Sequence, residues 1–357
     1  MKIKELQSVL NQKSTDFALF YNMYSAETSP NFYYFSGFNG VGILAVPKNK
    51  EPFLVVPKME IERAKKCKIK NVLGMDKKRL FETVKEIASK KKIMAKSIAI
   101  DNRYFALNFY KSLKKTFKKA KTKDVSEDCS KLREIKTNEE IECLKTSCNY
   151  ADRIIQKTIN NFKDFKTESD VAAFLVYETK KHGLELSFNP IVASGRNGSM
   201  PHYEPHNLKL NKGLCVIDFG VKYKGYCSDI TRTVSVGKPS QKEKESYEML
   251  NRIQKETINL VKENKKCSEL YDFVCNSLGK YRNYFTHGLG HGVGVEIHEM
   301  PNLTLNSKDK IQNNMVFTIE PGVYFPKKFG IRIEDTLMLK NNKTEVLTKT
   351  TKDLLII

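Results

Sequence analysis

Glycine and proline are sparse in this chain, 18 and 11 among 357 residues, which excludes a fibrous or disordered polymer. No apolar run approaches the roughly 18 to 20 residues that a membrane span needs. The opening MKIKELQSVLNQKSTDFALF has charged and polar residues where a secretory signal would place its apolar stretch. A cytoplasmic protein with no membrane partner is therefore expected. The eight cysteines contain no CxxC pair and no zinc-ribbon spacing, in a chain too long to need disulfide staples, so buried or incidental thiols are expected.

Acidic charge is also scarce, and unevenly so. The formal net charge is +21; through Lys136 there are 30 Lys and Arg against 14 Asp and Glu, and beyond it 32 against 27. Lysine runs such as Lys65–Lys70, Lys90–Lys92 and Lys111–Lys123 have the composition of a polyanion surface. Lysine heavily outnumbers arginine, however, and no aromatic-basic stacking pattern is interleaved with the runs. A solvated basic face is the reading we adopt, with nucleic acid disfavoured as a partner.

At roughly 100 to 200 residues per domain, the length suggests two domains. Residues 1–124 read as an α/β domain. Phe17–Phe20, Gly42–Val46, Phe53–Val56 and Ser97–Ile100 are short apolar strands bounded by turn residues, and Leu80, Phe81, Val84 and Ile87 keep helical spacing. Residues 125–136 thin into charge and are expected to link the two domains. Thr137-Asn138-Glu139-Glu140 then gives the capping box that opens a helix, starting a second domain over 137–357. Ile141, Leu144, Cys148, Ala151, Ile155 and Ile159 follow on one face, and Thr167 begins another helix in the same way. Strands and turns follow Pro190, helix returns over 240–282, and strands resume after Thr286.

The chemistry concentrates in this second part, where five of the six histidines lie beyond Pro201: His202, His206, His287, His291 and His298. Asp218 and Asp229 end or follow apolar strand segments on either side of a Lys-Gly-Tyr turn, which suits a hairpin carrying two carboxylates at one end of a sheet. Glu320 and Glu334 interrupt otherwise apolar strands. Two Asp, two Glu and a His form the hard-oxygen and imidazole mix that suits two divalent cations. Such ions about 3.5 to 4 Å apart can hold a hydroxide between them and polarise a substrate carbonyl.

Five segments in this order, Ile217-Asp218-Phe219-Gly220, Ser228–Thr233, Gly290-His291-Gly292-Val293-Gly294, Ile319-Glu320-Pro321-Gly322 and Arg332-Ile333-Glu334-Asp335, resemble the pita-bread metallopeptidases. Within that group, Asn31–Phe38 is similar to the tyrosine-rich stretch of the N-terminal domain found in proline-specific members. The resemblance implies an α/β N-terminal domain followed by an α+β catalytic domain of the creatinase and aminopeptidase type. It implies a metallopeptidase, a proline dipeptidase (prolidase) or an aminopeptidase P acting on longer peptides, whose substrate carries proline at its second position. A homodimer and two divalent cations per subunit, of manganese, cobalt, zinc or iron, are implied as well.

By the same resemblance Asp218 chelates one metal, Asp229 and Glu334 bridge both, and His291 and Glu320 complete the other. Glu320 then takes the proton of the bridging water, His202 lies over the substrate, His298 stabilises the tetrahedral intermediate, and His287 lies nearer the amine or leaving group. Arg332 either receives a product-side carboxylate or orients Glu334 or Asp335. Asn302, in His298-Glu299-Met300-Pro301-Asn302, stands where some proline dipeptidases carry a carboxylate-binding arginine. Longer Xaa-Pro peptides therefore enter as substrates. A nucleic-acid- or ribosome-binding use of the same scaffold is the rival reading, and a complete ligand set argues against it. His206 receives no role, and Cys215 and Cys227 are expected to pack in the core, being soft ligands for an oxygen-rich site.

Overall fold

The computed structural model describes residues 2–23, 29–75 and 79–357, which form two compact units, Met1–Leu132 and Arg133–Ile357. The first is built on a six-stranded sheet in the order Asn71–Met75, Phe53–Pro57, Gly42–Pro47, Phe17–Asn22, Ser97–Ile100, Lys121–Asp124. Its central strands are buried on both faces, which is why they read as continuous apolar runs. Phe17, Leu19, Ile43, Val55 and Ile98 meet Phe81 and Val84 of the helix Leu80–Lys90 on one side. The tyrosine-rich segment forms the helix Pro30–Ser36, closed by Gly37 at φ +69°, a conformation that favours glycine. The two edge strands, Asn71–Met75 and Lys121–Asp124, are largely polar or part-exposed. Residues 125–136, expected as a linker, are helical over Ser126–Glu134.

In the second unit, the two capping boxes open helices as their sequences require. Thr137 Oγ1 accepts from the Glu140 amide while the Glu140 carboxylate accepts from the Thr137 amide, starting Asn138–Asn160. Thr167 and Asp170 do the same for Glu168–Lys181. Ile141, Leu144, Cys148, Ala151, Ile155 and Ile159 all lie on the buried face of the first helix. These helices pack on a three-stranded sheet in the order Ile230–Val236, Gly213–Phe219, Ile191–Ser194. Helices Gln241–Asn259 and Cys267–Leu278 pack against a five-stranded sheet that includes Gly290–Gly292, Val316–Ile319 and Asp335–Lys340. The hairpin Gly322–Phe325 and Phe329–Arg332 and a small sheet of Tyr226–Cys227, Val221–Tyr223 and Glu185–Leu186 complete the unit. Among the described residues no helix is long and apolar enough to cross a membrane.

Candidate metal centre

Strand pairing places the acidic residues. Asp218 lies near the end of Gly213–Phe219, opposite Thr231 in the antiparallel neighbour and Ile191 in the other. Asp229 immediately precedes the strand Ile230–Val236, and its carbonyl accepts from the Thr336 hydroxyl at 2.7 Å. Glu334 sits between the strands Phe329–Arg332 and Asp335–Lys340, its amide bonded to the Thr231 carbonyl. Glu320 follows Val316–Ile319, and its amide bonds to the Leu289 carbonyl beside the His291 strand. Backbone pairing thus draws residues more than 100 positions apart onto one wall.

His291 is the middle residue of Gly290–Gly292. A Cβ on Gly290 would lie 2.1 Å from the Thr318 carbonyl oxygen, and one on Gly292 2.1 Å from that of Met300. Only glycine allows so close an approach of neighbouring strands, and the imidazole is thereby fixed between them. Its Nε2 lies 3.3 Å from Glu320 Oε1 and 3.5 Å from Asp229 Oδ2, while its Nδ1 is 3.1 Å from the Gly292 carbonyl. One ligand atom each from Asp229, His291 and Glu334 lies within 4.8 Å of the others.

These residues share a cleft of about 450 Å³ with Asp218, Glu320, His202, His287, His298, Arg332 and Asn302. All nine residues to which the sequence assigns a catalytic, metal or substrate part therefore line one cavity. His206 does not line it; its ring packs edge-on against Tyr203 at 5.6 Å. Cys215 and Cys227 are buried among core residues and free. Burial pushes both thiols up, Cys227 to about 11.

The electrostatics of the cleft are those of too many carboxylates for the protein cations present. Burial raises Asp229 well above the ordinary carboxylate range, and Glu334, Asp218 and Glu320 add to the shift. Burial likewise raises Glu334, helped by Glu320 and Asp218, and raises Asp218 against the opposing pull of Arg332. Burial would raise Glu320 too, but the hydrogen bond and charge of His291, with His287 and Arg332, hold it down to about 2. Three buried oxygens, Asp218 Oδ1, Asp229 Oδ1 and Glu334 Oε1, have no hydrogen-bond partner. A buried carboxylate oxygen without a donor is costly, and three of them in the cleft that holds His291, two of them on residues grouped with it, fit a cation-binding donor set.

Around this set lie groups whose importance emerges only from the contacts. Thr231 donates its hydroxyl to Glu334 Oε2 at 2.7 Å and accepts from Arg332 Nε at 3.2 Å. Arg332 is buried and donates to Asp218 Oδ2 at 2.6 Å, to the Tyr324 hydroxyl at 2.8 Å and to the Pro201 carbonyl at 3.3 Å. Asp335 pairs with Arg232 and Lys352. Tyr324 also meets His287 Nε2 at 2.8 Å, and His287 Nδ1 lies 2.7 Å from the Gly288 carbonyl. Nδ1 therefore carries the proton, and Nε2 accepts from the phenol. Burial lowers His287 below the usual imidazole range. It lowers His298 as well, with His291 adding to the effect; the two rings meet edge-on at 4.3 Å. The strand after His298 is anchored by buried Glu299, whose carboxylate accepts from Lys136 Nζ at 3.1 Å.

Fold and site together define a metallopeptidase. Residues 142–341 match metallopeptidase family M24 and residues 2–135 match the creatinase/prolidase N-terminal domain, and the chain belongs to this family. It is 38% identical over 332 residues to a Xaa-Pro dipeptidase of Pyrococcus furiosus, covering 91% of this chain and 92% of that one. The prolidase of Pyrococcus horikoshii superposes with a TM-score of 0.89 at 34% identity, covering 99% of both chains. An X-Pro aminopeptidase of Thermotoga maritima gives the same TM-score at 30% identity, covering 96% of this chain and 98% of that one.

Proposed function

We propose that this chain is a metal-dependent exopeptidase that hydrolyses Xaa-Pro bonds, acting on Xaa-Pro dipeptides and also on longer Xaa-Pro peptides. The observation that carries the reading is the trio of unpartnered buried carboxylate oxygens in a cleft that holds His291 and three further histidines. Asp218, Asp229, His291, Glu320 and Glu334 would hold two divalent cations, with manganese, cobalt, zinc and iron all compatible with such donors. When bound, the ions supply Lewis acidity, polarising the scissile carbonyl and lowering the pKa of water.

The protein's own groups then have distinct tasks. Glu320, which follows Val316–Ile319 and lies 3.3 Å from His291 Nε2, accepts a proton during attack. His298, packed on His291 and kept neutral by its surroundings, donates a hydrogen bond to the oxygen on which negative charge develops. His202 covers the substrate from the loop that also supplies Pro201. His287 keeps Nε2 toward Tyr324 and shapes the side of the cleft nearest the amine or leaving group. Four of the five Arg332 N–H groups donate to Asp218, Tyr324, Thr231 and Pro201, so we assign it to orienting Asp218 rather than to receiving a product carboxylate. That leaves Asn302 in the cleft without a charge to offer a dipeptide's terminus, which supports the wider length range.

A homodimer, which the family resemblance supports, and a cytoplasmic location complete the reading. The test is product analysis with metal-loaded protein. Free proline should be released from Xaa-Pro, with little turnover of the matched Xaa-Ala dipeptide. Equal hydrolysis of both dipeptides, or of neither, refutes the assignment.

A further inference from the structure

Glu168, the first residue of the helix Glu168–Lys181, is a carboxylate outside the cleft with no exposed surface. Among the described residues no lysine, arginine or histidine forms an ion pair with it. It is satisfied by four donors instead. Oε1 accepts from the Ser194 amide and hydroxyl, both at 2.8 Å, and from Asn197 Nδ2 at 3.0 Å; Oε2 accepts from the Tyr203 hydroxyl at 2.7 Å. A buried charge held only by neutral donors is stable when every one of them is in place. The arrangement therefore specifies one geometry of the groups that supply them.

All four donors belong to the start or the body of one connection. Ser194 ends the strand Ile191–Ser194, and residues 195–212 then cross to the strand Gly213–Phe219, which carries Asp218. Asn197 lies in the first turn of this loop and Tyr203 near its middle, while the Ser194 hydroxyl accepts from the Asn211 amide at 2.9 Å near its end. The same helix N-terminus holds the returning half, the Glu168 and Ser169 amides donating to the Leu208 and His206 carbonyls, both at 3.2 Å. Pro201 and His202, which line the cleft, sit between Asn197 and Tyr203. Burial and the Glu168 charge push the Tyr203 hydroxyl up to about 12, so it remains a donor.

We propose that Glu168 is a positioning residue: its buried carboxylate ties the start and middle of loop 195–212 together and so fixes His202 over the cleft, acting on the reaction through that histidine. The inference rests on the substrate contact assigned above to His202. In Glu168→Gln, the amide oxygen can still serve Ser194 and Asn197, which share Oε1, but the amide nitrogen then faces the Tyr203 hydroxyl. Because Asn197 Nδ2 also meets the Tyr203 hydroxyl at 3.0 Å, the phenol proton is then left without an acceptor and the turn carrying His202 loosens. Tyr203→Phe removes the same bond from the other side and leaves the carboxylate its other three donors.

The experiment is a double-mutant cycle read together with hydrogen exchange. Displacing a catalytic group by about 1 Å can cost on the order of 10²-fold, so Glu168→Gln and Tyr203→Phe should each lower kcat/KM by roughly 10- to 100-fold, at unchanged metal content. Amide exchange in residues 195–212 should rise in both. In a His202→Ala background either change should add little, because the group through which it acts is already gone. An undiminished loss in that background, or unchanged exchange in the loop, overturns the proposal. Should Glu168→Gln fail to fold, Tyr203→Phe decides the matter alone. If His202→Ala by itself leaves kcat/KM intact, the substrate role of His202 falls and the proposal falls with it, while the exchange data still report separately whether Glu168 holds the loop.

Discussion

Removing the Thr231 hydroxyl should weaken metal binding without removing a metal ligand. Thr231 lies in the strand Ile230–Val236, fully buried, and its one hydroxyl both donates to Glu334 and accepts from Arg332. Valine has the same shape and suits a strand, so Thr231→Val leaves the backbone intact while Glu334 loses a donor and the Arg332 Nε–H an acceptor. Hydrogen bonds to charged groups are worth about 1.5 to 3 kcal/mol, and losing the partner of a metal ligand commonly costs about 10- to 100-fold in affinity. We expect the manganese dissociation constant of Thr231→Val to rise by that factor in isothermal titration calorimetry, with kcat returning close to wild type at saturating metal. Thr231→Ser, which keeps the hydroxyl, should remain within a few-fold of wild type. Unchanged manganese affinity in the valine variant would refute the claim that this hydroxyl positions Glu334.

Replacing His298 or His202 with Ala should reduce kcat/KM by roughly 10²-fold or more with metal content near wild type; loss of metal in elemental analysis would show that the histidine is a ligand. Wild-type protein should cleave Xaa-Pro tripeptides, and Asn302→Arg should shift preference toward dipeptides by roughly 10- to 150-fold, the range of a charge-assisted pair; rejection of every tripeptide by the wild type places carboxylate recognition elsewhere. Asp335, fully buried with Arg232, Lys352, Gln254 and Thr348 as donors, is held down to about 2 by those cations against the effect of burial. A depressed carboxylate contributes stability above its unfolded value that is lost as pH falls through the folded one. Asp335→Asn should therefore cost about 3 to 5 kcal/mol in urea unfolding at pH 7, a penalty that shrinks as pH drops from about 4 toward 2; a pH-independent penalty contradicts this.

The proposed metal ligands were legible because a carboxylate or imidazole set in an apolar run is anomalous in one dimension. Asp218 lies within its strand in this way, whereas Glu320 and Glu334, expected inside strands, fall in the breaks just after Val316–Ile319 and just before Asp335–Lys340. Thr231 and Tyr324 do not stand out, since a threonine or tyrosine in a strand is ordinary and acquires its role only when Arg332, about 100 residues beyond Thr231, arrives beside it. Glu168 was hidden for a different reason: an acidic residue in a first helical turn already satisfies the local expectation, and its loop partners lie 26 to 35 residues downstream. In the first unit the strands recognised from sequence are the inner ones. Asn71–Met75 and Lys121–Asp124, at the two edges, are only partly buried; the second is wholly polar, and the short apolar run of the first is broken by Gly74. The expected linker is a helix because its charges are arranged locally, Asp124 accepting from the Ser126 amide at its start and Glu127 pairing with Lys131 one turn on.

Asp229 and Glu334 are proposed to belong to a cation site on which peptidase activity depends. This is tested most directly by elemental analysis and Xaa-Pro turnover measured on the same preparations of wild type, Asp229→Asn and Glu334→Gln. Metal content and activity should fall together in both variants while the circular dichroism spectrum is retained. Full metal occupancy with normal turnover in both variants would contradict it.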